Sequence, residues 1–208
     1  MSLTLKENNM KILVIGANGT VGKAVVAELA SRHQIITAGR NSGDYRVDLK
    51  DSASITALFK EIGKVDAVVS AAGNVHFAPL AEFSADNYAI GINDKLMGQV
   101  NLALAAQEAL NDGGSITLTS GILSSDPIRF GSSASMVNAA IDGFVRSAAI
   151  ELPRGIRINS ISPTLLEESL ENYGPYFQGF NTVPAAKVAR AYSKSVEGAQ
   201  TGQVYAVN

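Results

Sequence analysis

Short apolar runs alternate along this chain with longer segments whose apolar residues recur every three or four positions, and that alternation leaves few folds open. KILVIGA (11–17) is apolar up to its glycine, and GTVGKAVVAELASR behind it carries Val21, Val25, Val26, Leu29 and Ala30 at helical spacing. HQIITAG (33–39) and RVDL (46–49) read as the next strands, SASITALFKEIG (52–63) as a helix and VDAVVSAAG (65–73) as a strand. A long helix over INDKLMGQVNLALAAQEAL (92–110), a strand at SITLTSG (115–121), a second long helix over 134–152, and strands at IRINSISP (156–163) and GQVYAVN (202–208) complete the series. Strands that are apolar throughout, rather than at every second residue, are buried on both faces, and strands alternating with helices run parallel. The expected architecture is α/β, a doubly wound parallel sheet.

The 208 residues fit one domain, and an apolar content of 46% supplies a full core between layers. Gly and Pro fall between elements and no linker intervenes, so residues 10–208 are expected as a single domain and MSLTLKENN (1–9) as a disordered leader or expression remnant. Leu165 to Pro184, which includes Tyr173, Tyr176, Phe177 and Phe180, has no period; near the C-terminal strand ends such an insert is expected as a short substrate lid. Net charge is −2 with 17 scattered Lys and Arg, which argues against nucleic-acid and anionic-membrane partners. The absence of Cys removes disulfides, thiolate metal sites and a Cys nucleophile, and two His make a metal site unexpected. With neither an apolar run of the roughly 18 to 20 residues a membrane span needs nor a signal-peptide pattern, the expectation is a soluble cytoplasmic protein.

GANGTVG (16–22) joins the first strand to the first helix. Glycines at Gly16, Gly19 and Gly22 permit a sharp turn, close approach of backbone amides to a diphosphate and tight helix packing, while the helix N-terminus favours negative charge. In this context the loop, with Asn18, Thr20 and Val21, is read as the dinucleotide-binding turn of a Rossmann fold. The second strand ends in Arg40, Asn41 and Ser42, where an acid would read an unphosphorylated ribose; a cation and two small polar groups suit a 2′-phosphate, so NADP is expected over NAD. Asp48 is placed either to accept from an adenine amino group or to cap the helix starting near Asp51. Ala71, Ala72 and Gly73 are small enough for the chain to pass close beneath the adenosine half of the cofactor.

These motifs, in this order from Lys11 to Asn208, resemble the short-chain dehydrogenase/reductase family: the glycine loop, GR after the second strand, Asp48, SAAG, the serine of TLTSG, the GFVRSAAIELP helix end and RINSISP. The resemblance implies hydride transfer between NAD(P)H and a carbonyl or alcohol, with a Tyr as acid/base, a Lys four residues later, a Ser that polarises the substrate oxygen and an Asn that supports a water relay. Ser120 matches the serine, and Pro163 joins the cofactor contacts on the same resemblance. Aligned on AAIDGF (139–144), the Tyr position falls on Ala134 and the Lys position on Asn138, neither of which titrates near neutrality. The Asn position falls on Lys95.

Two readings stay open. In one, the chain is an oxidoreductase whose proton comes from Lys95, from His76, or from a lid tyrosine, Tyr173 or Tyr176, with Ser120 and Asn138 completing the catalytic set. In the other it is an inactive NADP(H)-binding sensor or regulatory module. A vestigial structural protein is disfavoured by the intact Gly16, Gly19, Gly22 and Arg40. The serines of GSSASMVNAAIDGF (131–144) are expected to cap and begin a helix, with Ser132, Ser133 and Asn138 as the polar groups left near the substrate oxygen. Tyr173, Tyr176, Phe177 and Phe180 suggest a small apolar or ring-bearing substrate, and the resemblance implies a homodimer or homotetramer through the two long helices.

Overall fold

A computed structural model describes residues 9–208. In chain order the elements are β1 (Lys11–Ile15), α1 (Thr20–Leu29), β2 (Gln34–Gly39), β3 (Tyr45–Arg46), α2 (Ser52–Ile62), β4 (Val65–Ser70), α3 (Ala85–Gly91), a π-helical turn (Ile92–Leu96), α4 (Met97–Ala109), β5 (Leu110–Thr119), α5 (Ser132–Glu151), β6 (Arg157–Pro163), β7 (Leu165–Leu166), α6 (Leu170–Tyr173), β8 (Thr182–Val183), α7 (Ala185–Glu197) and β9 (Val204–Val207). Seven strands form one sheet in the order β3-β2-β1-β4-β5-β6-β9, and every pairing is parallel. The order reverses between β1 and β4, which opens a crevice beyond their carboxyl ends.

The period of two along each strand sends alternate residues to opposite faces. Leu13, Ile15 and Val68 pack under α2, α4 and α5 with Ile55, Leu102 and Ile141. Ile12, Val14 and Val69 pack under α1 and α7 with Val25, Leu29 and Tyr192. Both faces are covered, which is why these strands read as continuous apolar runs.

Four details depart from the sequence reading. RVDL forms only the end of a two-residue edge strand, because the chain pairs with Ala38 and Gly39 and then leaves the sheet. The helix expected from residue 92 begins at Ala85, where Ser84 and Asn87 form a reciprocal capping box, and passes through the π turn before α4. No serine caps α5: Gly131 is its N-cap, without a side-chain bond. Helix α7 is absent from the sequence reading, although Val188, Ala189, Tyr192 and Val196 recur at helical spacing on one buried face, with Lys187, Arg190 and Lys194 exposed on the other.

The irregular stretch after β6 is tied at its ends by the β7–β8 pair, and the Glu168 carboxylate accepts from the Ala185 amide at 2.9 and 3.1 Å, capping α7. The expected leader lies outside the described residues except for Asn9, whose side chain accepts from the Gln34 amide at 3.1 Å and so belongs to the fold. Among the described residues no helix is long and apolar enough to cross a membrane.

Candidate active site

The turn after β1 depends on two glycines in contact. Gly16 has φ +79°, and a Cβ on Gly22 would stand 2.1 Å from the Gly16 carbonyl oxygen, so only glycine lets α1 start this close to the strand end. Gly19 caps α1 with no side-chain acceptor, which leaves the amides of the first turn unbonded within the helix. These amides and the positive helix end are the donor set a diphosphate requires.

A cavity of about 250 Å³ runs from this turn to the end of β2. Of the residues the sequence assigned to the cofactor, Gly16, Asn18, Gly19, Arg40, Asn41, Ser42, Asp48, Ala72 and Gly73 line it. Arg40 is exposed and forms no ion pair among the described residues. Asp48 accepts from the Lys50 amide at 3.0 Å, whereas Asp51 caps α2 through the Ala53 amide at 2.9 Å; the capping alternative for Asp48 therefore fails, and its carboxylate lies at the cavity wall. Thr20, Val21 and Gly22 form the first turn of α1, with the Val21 side chain packed on the core rather than toward the cavity. Ala71 lies beneath Gly16, its carbonyl 2.7 Å from where a Cβ there would be, and Pro163 ends β6 opposite Val207.

The second half of the site is built around Lys95, on the π turn. Such a turn fits one extra residue into the helix and re-aims the side chains on it. Lys95 lies across Gly73, where a Cβ would come within 2.6 Å of its Cγ. Its Nζ donates to Asn138 Oδ1 at 2.7 Å and to the Ser120 carbonyl at 2.8 Å. An ammonium has three N–H donors, so among the described residues one is left for a ligand. Burial lowers the Lys95 pKa to about 8, against a smaller opposing pull from the charge of Asp142, whose carboxylate accepts from the Ser160 hydroxyl at 2.8 Å. Gln99, fully buried one turn on, donates to the carbonyls of Lys95 (3.2 Å) and Thr119 (2.9 Å) and accepts from the Thr119 amide at 2.8 Å. It clamps the π turn to the end of β5. Sequence reasoning missed it; the signal was an amide facing the sheet from an otherwise small and apolar helix face.

Lys95 and Asn138 are thus brought together with the backbone of Ser120. The Ser120 hydroxyl was expected to face the site, but its Oγ turns back toward the Ile161 carbonyl at a long 3.4 Å because the residue is buried between β5 and β6. His76 stands apart from this group, edge-on to Phe83 with centroids 5.5 Å apart. Ala134 is buried, Ser132 Oγ lies 3.1 Å from the Tyr88 hydroxyl, and Ser133 Oγ is buried without a hydrogen-bond partner in the described structure. Tyr173 and Tyr176 line a separate apolar cavity with Phe77 and Phe130. Phe177 and Phe180 do not line that cavity and pack against each other at 5.3 Å, with Phe180 also lining another cavity beside Thr164 and Asn208.

A doubly wound sheet with a glycine turn and an amide-rich helix start at its switch point defines the fold class of dinucleotide-binding α/β domains. A family model described as enoyl-(acyl carrier protein) reductase matches residues 1–205, and the chain belongs to the short-chain dehydrogenase/reductase family. It is 29% identical over 178 residues to the hydroxynaphthalene reductase-like protein Arp2 of Metarhizium brunneum, covering 73% of this chain and 66% of that protein, so it spans about two thirds of that relative's length. Identity to the hydroxynaphthalene reductase arp2 of Aspergillus fumigatus is 26% over 193 residues, 80% of this chain and 71% of that one. Among solved structures, the protein lin1944 from Listeria innocua is 54% identical with a TM-score of 0.94, over 96% of this chain and 100% of that one. A small-chain dehydrogenase in complex with NADPH is 25% identical with a TM-score of 0.85, over 97% of both chains.

Proposed function

We propose that this chain is an NADP-dependent oxidoreductase acting on a carbonyl or alcohol, with Lys95 in place of the missing tyrosine as the proton-transferring group. The observation that carries the reading is the Lys95 ammonium fixed between Asn138 Oδ1 and the Ser120 carbonyl, with one N–H uncommitted. The first-turn amides of α1 would hold the diphosphate, Arg40 with Asn41 and Ser42 the 2′-phosphate, and Asp48 the adenine amino group, while Ala72 and Gly73 would allow close passage. Bound there, the nicotinamide supplies or receives hydride. In the reducing direction the substrate oxygen takes its proton from Lys95 Nζ, which regains one from solvent. A pKa of about 8 keeps that ammonium charged at neutral pH and close enough to the operating pH to exchange.

Relatives named as reductases and a solved neighbour holding NADPH support the reading. It carries with it a cytoplasmic setting and a homodimer or homotetramer through α4 and α5, on which Leu104 and Ile150 stand exposed. A second reading, an NADP(H)-responsive module without chemistry, is favoured by Ala134, which is buried and offers no proton at the position the family resemblance gives to its acid.

Titration with NADPH and NADH, followed by single-turnover oxidation of NADPH against a carbonyl panel, separates the two. The first reading expects NADPH to bind more tightly than NADH and to be consumed; binding without consumption selects the second, and binding of neither nucleotide refutes both. Arg40→Ala is expected to weaken NADPH about tenfold or more, as for loss of one charged hydrogen bond, and to leave NADH nearly unchanged. Equal losses for both would remove the 2′-phosphate role.

A further inference from the structure

Resting on the reading of NADP-dependent reduction, we propose that the aromatic-walled cavity over the strand ends binds the substrate and that this substrate is a quinone, a planar ring whose reduced oxygen bears delocalised charge. The cavity encloses about 520 Å³, within the roughly 300 to 1,000 Å³ of small-molecule sites. Phe77, Phe130, Tyr173 and Tyr176 face it with Ile128 and Pro79, and no lining side chain is charged. Phe77 and Tyr173 stand 6.3 Å apart and Phe130 and Tyr176 6.1 Å, spacings at which aromatic rings interact.

Rings placed only to hold the irregular stretch after β6 shut would be buried, as core aromatics are. These four are 39 to 50% exposed and grouped around one opening. Phe130 is moreover held at φ +67°, a left-handed conformation costly for an aromatic residue, and its carbonyl accepts from the Ala78 amide at 3.3 Å. That bond ties two walls together. One wall is the loop rooted at Gly73, on which Lys95 lies; the other is rooted at Ser120, whose carbonyl Lys95 bonds. The third wall leaves the sheet after β6. The cavity thus stands on the two roots that position the ammonium.

The donors at the roots of two of these walls, around Lys95, explain the choice of ring. Hydride delivery to an isolated ketone leaves a localised alkoxide, which needs several donors aimed at it. Here Ala134 offers none, the Ser120 hydroxyl turns to Ile161, and Lys95 has a single N–H left. A quinone requires less help, because its reduced oxygen is phenolic, with a pKa of about 10, against about 15.7 for bulk water as a guide to a localised oxyanion. In the balanced step the nicotinamide C–H bond would break as its hydride forms an O–H bond at one quinone oxygen, the ring would become aromatic with its charge on the other oxygen, and that phenolate would take one proton through Lys95, leaving the oxidised cofactor and the hydroquinone.

The test uses 1,4-naphthoquinone and cyclohexanone with the full chain. The protein has no Trp and no Cys, so its emission comes from tyrosines and thiol addition to the quinone is absent. Expected are saturable, absorption-corrected quenching by naphthoquinone; binding at least fivefold weaker in Tyr176→Ala and in Phe77→Ala with NADPH affinity unchanged; and NADPH consumption, above the uncatalysed rate, at least a hundredfold faster with naphthoquinone than with cyclohexanone. No saturable quenching, affinities untouched by both substitutions in variants of unchanged circular dichroism, no consumption although NADPH binds, or equal rates with the two substrates would each overturn the proposal. Quinone binding sensitive to both substitutions in a chain that binds no NADPH would instead support the cavity as the ring site and refute the cofactor reading.

Discussion

Replacing Lys95 with methionine tests whether the site really holds a desolvated ammonium. The side chain keeps an unbranched apolar stem one atom shorter and loses its proton and charge. In the unfolded chain a lysine titrates near 10.5, and in the folded protein burial brings Lys95 to about 8. Between those values the unfolded chain keeps a proton that the folded chain has released, so the stability of the wild type rises with pH across this window relative to a variant lacking the group. At about 1.4 kcal/mol per pH unit the full span corresponds to about 3 kcal/mol, and partial solvent contact of the side chain reduces this to about 2 kcal/mol. Urea unfolding of both proteins at pH 7, 8, 9 and 10 measures it. With a denaturant slope near 2 kcal/mol per molar, the wild-type midpoint should gain about 1 M on that of Lys95→Met between pH 7 and pH 10. Parallel midpoints across the series would show that Lys95 titrates normally. A gap moving the opposite way would mean an ammonium stabilised by an ion pair, and either result would remove the physical basis for proton transfer from this residue.

Two further outcomes test the frame around the site. Gly22→Ala forces a Cβ against the Gly16 carbonyl; it is expected to lower stability by about 1 to 3 kcal/mol in thermal or urea unfolding and to abolish NADPH binding, and wild-type binding would show that the turn is dispensable. Burial pushes the Glu197 carboxyl up, but hydrogen bonds from Arg32, Ser193 and His33 outweigh it and hold the group at about 2. Its contribution is present above the unfolded pKa of 4.5 and is lost as pH falls toward 2. The difference in urea midpoint between the wild type and Glu197→Gln should therefore shrink from pH 5 to pH 2.5, and a constant difference would count against this cluster.

Much of the cavity beside the glycine turn was legible in order along the chain. Gly16 to Gly22, Arg40 to Ser42 and Ala72–Gly73 each sit where a strand ends, and strand ends follow from runs of apolar residues. The half around Lys95 was legible only as a set of names. Lys95 and Asn138 are 43 positions apart, and their 2.7 Å contact requires both the π turn and the close packing of α5 behind it. The same limit explains Ser120: the residue was correctly located at the end of its strand, yet the direction of its hydroxyl depends on the Ile161 carbonyl of the next strand. Helix α7 was missed although its signal was local and legible, since Val188, Ala189, Tyr192 and Val196 recur at helical spacing opposite Lys187, Arg190 and Lys194.

By itself, then, the sequence determined the parallel α/β sheet, the glycine turn at its switch point, the arginine after the second strand and the non-titrating Ala134 and Asn138 on α5. These follow from short-range rules of period, chain turning and residue chemistry, which need no knowledge of distant neighbours. Tertiary structure alone decided that the lysine of the neighbouring helix reaches Asn138, that Gln99 pins the turn carrying it, and that Phe77, Phe130, Tyr173 and Tyr176 meet around one cavity. Hydrogen bonds act over about 3 Å and ring contacts over a few ångströms more, so such sites exist only once packing has fixed where separate elements lie.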